Sequence, residues 1–255
     1  MAEWPYPLRL VPGTEATAAW YEEAAIGARE GFSPILITPE TAEIGADESD
    51  VAGADIPSPD SIVDTYVRKL IFQDWANQKP ALLFGEPDPE DVAAALAASE
   101  EYQRGGAYAY DEPAFADIRE LPPDPPEAQP QAKPFGAITS LPLKGPFPQV
   151  AITRLPPPDS WRAPLLLGFG GWNACPEPAM LAAFARRWKL LHGADIAAVT
   201  QDTLEFVVER PPATFEEATR LAKEHYIAGI ELGDMDMSDY IAALRSMRRW
   251  YFWWD

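Results

Sequence analysis

The residues best placed for chemistry lie in one glycine-rich loop, residues 168–176, which holds the only cysteine of the chain. Glycine permits positive φ angles and lets a backbone approach a ligand closely. A helix is predicted directly after the loop, and the first turn of a helix presents free N–H groups and partial positive charge. Such a setting can bind an anion or activate a thiol.

This loop is therefore a candidate site, with two interpretations. In the first, Cys175 is a nucleophile, Asn173 is a hydrogen-bond donor, and Gly170, Gly171, Trp172 and Asn173 hold a ligand. In the second, the loop is a tight strand-to-helix turn around a small buried cysteine. The loop lacks both the P-loop lysine and the G-x-G-x-x-G pattern, which favours the turn.

A cysteine nucleophile needs a base nearby, and the chain has two histidines, His192 and His225. His192 falls in the last turn of the helix predicted after Cys175, which places it about 20 Å or more away at 1.5 Å per residue. His225 lies on another predicted helix and could reach Cys175 only through the fold. The catalytic candidates are thus Cys175, Asn173 and His225.

Three aspartates, Asp234, Asp236 and Asp239, are spaced as in calcium-binding loops. The full calcium-loop pattern, which ends in a glutamate, is missing. Ser238 or Asp239 is better interpreted as a helix cap. We therefore predict no metal site, and no motif indicates a cofactor.

The last strand predicted, residues 249–254, is almost wholly aromatic. In a strand, Trp250, Phe252 and Trp254 point to one face, and Tyr251 and Trp253 point to the other. A strand that is apolar on both faces is normally central in its sheet and covered, and this is our prediction. The alternative is an exposed aromatic patch that binds a protein partner.

The N-terminal region has the pattern of a βαβ unit. Residues 8–11 are predicted as a strand, a helix capped by Thr14 follows to about Arg29, and residues 34–38 are predicted as a buried strand. A helix, a strand and a second helix are predicted further along, at residues 59–77, 81–84 and 88–105.

Residues 121–134 mark a boundary, because six of these fourteen residues are proline and no helix or central strand tolerates that density. Residues 1–133 hold 8 basic and 26 acidic side chains, a net charge of −18, whereas residues 134–255 hold 12 and 14, a net charge of −2. We predict an acidic α/β region at 1–120, an exposed linker without helix or strand at 121–134, and an α+β domain at 135–255.

The second half predicts elements in the order β-β-α-β-β-α-α-β. Strands are predicted at residues 149–155, 161–168, 196–200, 203–209 and 249–254, and helices begin near Pro176, at Thr214 and at Ser238. Thr214 and Glu217 have the pattern of a capping box. The predicted fold class is α/β to α+β, with an N-terminal βαβ-type region followed by an α+β domain that has a mixed or antiparallel sheet and helices on one face.

Four motifs of this second half stand out: residues 170–176 (GGWNACP), 202–205 (DTLE), 210–212 (RPP) and 250–255 (WYFWWD). Together they resemble a bacterial family of unknown function, domain-of-unknown-function family 4253, over about residues 140–255. Residues 226–229 (YIAG) depart from the Cys-Pro-Asp expected there. The resemblance implies a fold boundary and no particular activity.

Composition narrows the function classes. A net charge of −20 repels phosphate backbones and argues against nucleic-acid binding, and no apolar run reaches the roughly 20 residues of a membrane helix. A single cysteine fits a reducing compartment, so we expect a cytoplasmic location.

The acidic first half and the aromatic surplus favour a non-catalytic protein-binding module of a bacterial cell. It would bind a basic protein, and in one version it is an immunity-type protein that masks a basic toxin. The alternative is a hydrolase or transferase with an anion or nucleophile site at the loop from Gly170 to Cys175. The sequence leaves the oligomeric state open.

Overall fold

The structure is a computed structural model of the 255-residue chain. It describes residues 6–38, 115, 117–125, 133–140, 145–156, 158–173, 175–176, 178–232 and 235–254. The elements predicted at 59–77, 81–84 and 88–105 lie outside the described residues.

The described elements alternate between strands and helices. The strands are β1 (Leu8–Pro12), β2 (Ser33–Ile37), β3 (Thr139–Ser140), β4 (Gly145–Pro146), β5 (Gln149–Leu155), β6 (Asp195–Val199), β7 (Thr203–Val207) and β8 (Arg249–Trp253). The helices are α1 (Ala16–Glu30), α2 (Ala163–Leu166), α3 (Pro178–His192), α4 (Phe215–Ile227) and α5 (Met237–Leu244). Short 3₁₀ turns occur at Gly136–Ile138 and Ser160–Arg162.

Six strands form one mixed sheet in the order β1-β5-β2-β6-β7-β8. β5 is antiparallel to β1 and to β2, so β1 and β2 run parallel to each other with β5 between them. β2 and β6 are parallel, and the pairs β6–β7 and β7–β8 are antiparallel. The predicted βαβ unit is therefore present with a strand inserted into it, and the predicted α+β class with a mixed sheet is confirmed.

Side chains alternate into two cores because successive residues of a strand point to opposite faces. Ile35 and Ile37 belong to the core formed with α3, α4 and α5, whereas Leu36 belongs to the core formed with α1 and residues 135–138. The long C-terminal helices thus share one face of the sheet, and α1 covers the other face.

Local hydrogen bonds explain where the helices begin. The predicted capping box of α4 is present, with Thr214 Oγ1 accepting from the Glu217 N–H and the Glu217 carboxylate accepting from the Thr214 N–H, both at 3.1 Å. α5 is capped by Asp236, whose carboxylate accepts from the Asp239 N–H at 2.9 Å. The prediction that Ser238 or Asp239 is the cap is therefore wrong, because the helix begins at Met237 and its cap lies two residues before Ser238.

Two further predictions are corrected by the structure. Residues 161–168 are not a strand: they form the end of a 3₁₀ turn followed by α2. The periodicity of a short apolar run does not distinguish a strand from a helix. Pro164 lies at the start of α2, a position where proline favours a helix. At α1 the N-cap position is Glu15 rather than Thr14, with no side-chain cap.

The described parts of the proline-rich segment, residues 121–125 and 133–134, have neither helix nor strand. β1 and β2, which precede this segment, lie in the same sheet as β5 to β8, which follow it. In the part of the chain that the structure describes, no helix is both long enough and apolar enough to cross a membrane.

Candidate functional site

The glycine-rich loop, residues 168–176, is a compact turn between α2 and α3. Gly170, Gly171 and Asn173 have positive φ angles of 118°, 86° and 45°. A Cβ atom on Gly170 would lie 2.4 Å from the carbonyl oxygen of Pro176, so the close backbone approach requires glycine. The Gly171 N–H donates to that same oxygen at 3.0 Å, which closes the loop on itself.

The apolar side chains of this loop pack into the protein. Cys175 is 1% exposed, and its N–H donates to the carbonyl oxygen of Trp172 at 2.8 Å. The rings of Trp172 and Phe169 meet edge to face with centroids 4.8 Å apart, and Phe169 contacts Trp254 at 5.8 Å. Burial of Cys175, one part of the turn interpretation, is confirmed.

The structure does not assemble Cys175, Asn173 and His225 into one site. His225 is fully buried on α4, where its Nδ1 lies 2.6 Å from the hydroxyl oxygen of Tyr240. Burial lowers the pKa of His225 well below its ordinary value and raises the pKa of Tyr240, so both groups are neutral at pH 7. Among the described residues His225 makes its hydrogen bond to Tyr240 and none to Cys175, and Asn173 is exposed.

Both histidines make contacts within the fold. The His225 ring is enclosed edge to face by Trp188, Trp250 and Phe252, with centroid distances of 4.7, 4.7 and 5.0 Å. His192 ends α3, as predicted, and its Nδ1 lies 3.0 Å from the carbonyl oxygen of Arg210. The hydrogen bonds that the two histidines make are to Tyr240 and to the Arg210 backbone, and not to Cys175.

Within the described residues, no group of three His, Cys, Asp or Glu side chains could hold a metal ion. Of the aspartates singled out in the sequence, Asp236 serves as the cap of α5. Asp234 lies outside the described residues.

One exposed aromatic side chain, Tyr251, lies on β8. The prediction that this strand is central is wrong, because β8 is the last strand of the sheet and pairs with β7 alone among the described residues. Trp250, Phe252 and Trp254 are buried in the core, as predicted, whereas Tyr251 on the opposite face is 43% exposed. The strand is thus an edge strand with one buried face and one partly open face.

One side of the β8 backbone has no paired strand among the described residues. The Val208 N–H donates to the carbonyl oxygen of Arg248, and the Trp254 N–H donates to that of Asp202, at 2.9 and 3.0 Å. Because hydrogen-bonded pairs alternate along an antiparallel ladder, the even-numbered residues of β8 face β7. The N–H and C=O groups of Tyr251 and Trp253 therefore point away from the sheet.

Asp202, in the turn between β6 and β7, fixes the end of β8. Its carboxylate accepts from the Trp253 Nε1–H at 2.9 Å and from the Thr203 hydroxyl at 3.0 Å. The Tyr251 hydroxyl lies 3.5 Å from that of Thr203. A carboxylate and two aromatic rings are therefore held together at this corner of the sheet.

A buried carboxyl group lies beside these rings. Glu205 on β7 is directly opposite Tyr251 and is 3% exposed. Its Oε2 accepts from the Ala137 N–H at 2.9 Å, and its Oε1 lies 4.0 Å from Nη1 of Arg249. Burial raises the pKa of Glu205 to about 7, although the Ala137 N–H and Arg249 act in the opposite direction. This group therefore changes its charge near neutral pH.

Neither Glu205 nor Tyr251 is among the site residues predicted from the sequence. The signal was present, because both residues lie in motifs that carried the family resemblance, 202–205 and 250–255. The structure makes these two motifs neighbouring strands, with Thr203 opposite Trp253 and Glu205 opposite Tyr251.

Residues 151–255 match DUF4253, a domain of unknown function. The predicted resemblance is confirmed for this part of the chain. The DUF4253 segment begins inside β5 and supplies β6, β7, β8 and the helices from α2 to α5, whereas β1, α1 and β2 precede it. No curated protein and no solved structure matches the chain.

Proposed function

We propose that this protein is a non-catalytic binding module that takes an extended, basic segment of a partner protein along β8. The observation that carries the proposal is that β8 pairs on one side only in the part of the chain that the structure describes, with Tyr251 43% exposed beside that edge. An unpaired strand edge is a ready template for a further strand, since its backbone groups supply hydrogen bonds and its side chains supply specificity.

The chemistry of the edge favours a cationic partner. The rings of Tyr251 and Trp253 lie on one face of β8, and aromatic faces attract Lys and Arg. Asp202 adds a carboxylate at the same corner, bonded to Trp253. In an added strand every second side chain would lie over this face, so we expect basic residues at alternate positions of the partner.

The charge of the whole chain supports the same class of partner. A net charge of −20 raises the local concentration of a basic protein and disfavours nucleic acids and anionic membranes. The single cysteine fits a reducing cytoplasm. Within this proposal the protein is a cytoplasmic bacterial module, and an immunity-type role, in which it masks a basic toxin, is its most specific form.

The test is a comparison of two charge-matched variants. Tyr251→Lys places a cation on the open edge, and lysine on an edge strand opposes the addition of another strand. Leu190→Lys makes the same change of charge on α3, where Leu190 is 54% exposed. Wild type and both variants, each shown to be folded by circular dichroism, are used to capture proteins from the source organism.

A basic protein that is retained by wild type and Leu190→Lys, with at least about a tenfold loss on Tyr251→Lys, is the expected result, since a central aromatic anchor contributes 2 kcal/mol or more. Equal retention by all three proteins would exclude docking on β8. Retention of an acidic protein would contradict the proposed chemistry of the partner.

A further inference from the structure

Residues 133–138 cross the outer face of β7 and β8 and are called the strap. Phe135, at the centre of the strap, is fully buried. Its ring lies between Trp20 of α1, with centroids 5.6 Å apart, and the guanidinium of Arg249, 4.4 Å from the ring centre. Its N–H donates to the hydroxyl of Thr17 at 3.2 Å. The strap is thus packed between α1 and the edge of the sheet.

Two polar side chains of the sheet, Arg249 and Glu205, hold the strap. Arg249 donates from Nη1 to the carbonyl oxygen of Pro134 and from Nη2 to that of Lys133, both at 2.8 Å. Glu205 accepts from the Ala137 N–H at 2.9 Å. Arg249 and Glu205 thus both bond to the backbone of the strap, and Glu205 is a carboxyl group.

The strap also touches the residue on which the proposed docking depends. A Cβ atom added to Gly136 would lie 3.1 Å from two ring atoms of Tyr251 and 3.6 Å from Oε2 of Glu205. The strap therefore covers Glu205 and packs against one side of the Tyr251 ring.

We propose that the strap is a pH-dependent cover of the docking face, the surface formed by Tyr251, Trp253 and Asp202 beside Glu205, and that the strap opens more readily once Glu205 is ionised. Release exposes a carboxylate next to Tyr251 and Asp202, where a cationic side chain of the partner can pair with it. The second step rests on the proposed function, whereas the first does not.

The groups that face Glu205 determine the direction of this effect. On β8, Glu205 faces Arg249 and the neutral phenol of Tyr251. On the strap, it faces the N–H groups of Gly136 and Ala137. Helix α1 presents no charged group to it, since Thr17 and Trp20 of α1 pack on the strap. Arg249 and the N–H groups favour the carboxylate, but the loss of hydration is the larger effect, and the pKa of Glu205 stands at about 7.

With the strap released, Glu205 is hydrated and its pKa returns toward the ordinary value of 4.5. The closed state then binds a proton more tightly than the open state, so raising the pH through this window favours opening. With pKa values of about 7 closed and 4.5 open, the closing equilibrium weakens roughly tenfold between pH 6 and pH 8.

The experiment is amide hydrogen exchange of the free protein, corrected for the intrinsic rate at each pH. The probe is the Ala137 N–H, which Glu205 binds, and the reference is the Val208 N–H, which bonds to Arg248 inside the β7–β8 pair. We expect Ala137 to be less protected than Val208, because the strap opens locally. We expect its protection factor to fall about tenfold from pH 6 to pH 8.

The matched variant is Glu205→Gln, which keeps the shape of the side chain and does not titrate. Its strap should keep one protection factor across the same pH range. Equal protection of Ala137 and Val208 in wild type would overturn the proposal, because the strap would then open only when the whole fold does. A pH-independent protection factor of Ala137 in wild type would overturn it as well, even if Glu205→Gln fails to fold.

These measurements need no partner, so they separate the two proposals. If the strap opens with rising pH but the Tyr251→Lys variant still retains every partner, only the docking proposal is wrong. If partner binding depends on Tyr251 but the strap does not open with rising pH, only the proposal that the strap is a pH-dependent cover is wrong.

Discussion

At the scale of single residues, the contacts around Cys175 assign it to packing. Its side chain lies in the same core as Phe169 and Leu181, and the loop that carries it is closed by the bond from Gly171 to Pro176. A thiol that is 1% exposed can be reached by a reagent only when the loop opens. Reactivity of this residue is therefore a measure of local opening.

We expect iodoacetamide to modify Cys175 slowly in the native protein at neutral pH, at least about 100-fold more slowly than in urea, because buried groups react through opened states. The matched control is Leu190→Cys, which adds a thiol at an exposed site of α3. In that variant the new thiol should react rapidly and Cys175 should not. Native labelling of Cys175 as fast as that of the exposed thiol would revive the nucleophile hypothesis.

The burial of Cys175 was predictable from its local sequence, whereas the environment of Glu205 was not. Glycines around a cysteine before a helix are a local signal of a tight turn. The partner of Glu205 is a backbone N–H 68 residues away in the chain. The burial of this carboxyl group depends on the contact between the strap and the sheet, which the local sequence does not indicate.

At the scale of elements, the sequence patterns predict those helices and strands whose formation depends on residues close together in the chain. The capping box at Thr214, the strand over residues 149–155 and the hairpin of β6 and β7 all match the prediction. The position of β8 at the edge of the sheet and the insertion of β5 between β1 and β2 depend on pairing between distant segments. Such pairing leaves no periodic signal within either segment.

The placement of β5 has a direct consequence for truncation. A fragment of residues 135–255 lacks β1, α1 and β2, so β5 would lose both neighbouring strands and the helix that covers them. The proline-rich boundary predicts a folded domain there, whereas the shared sheet leads us to expect a fragment that does not fold alone. The fragment should give a poorly dispersed amide NMR spectrum.

Its control is the same fragment produced together with residues 1–132, which supply the missing strands. Recovery of a dispersed spectrum in the mixture would show that the loss is due to those strands. A dispersed spectrum from residues 135–255 alone would instead support two independent folding units.

At the scale of the whole molecule, charge is distributed unevenly along the chain. Residues 1–133 carry −18 of the net charge of −20. A charge of this size acts over the Debye length rather than through single contacts. In the proposed function it steers a basic partner toward the protein, and the aromatic side chains of β8 then hold it.

We expect the association rate of a basic partner to drop steeply with added salt. Raising the ionic strength from about 0.01 M to 0.15 M shortens the Debye length from about 30 Å to 8 Å, which removes most of the steering. The dissociation rate should change less, since desolvated aromatic anchors dominate it. Stopped-flow kinetics over a salt series measures both rates. If the association rate does not depend on salt, the negative charge of residues 1–133 has no role in binding.

The position of β5 also bears on how the chain is made. β1 and β2 leave the ribosome early, whereas the strand that must enter between them ends at Leu155. At about 5–20 residues per second, the intervening segment of roughly 110 residues takes on the order of 5–20 s to synthesise. During that time Ile35, Leu36 and Ile37, all fully buried in the finished protein, lack their native neighbour. A nascent chain with such a strand is a natural substrate for a chaperone that binds short apolar segments.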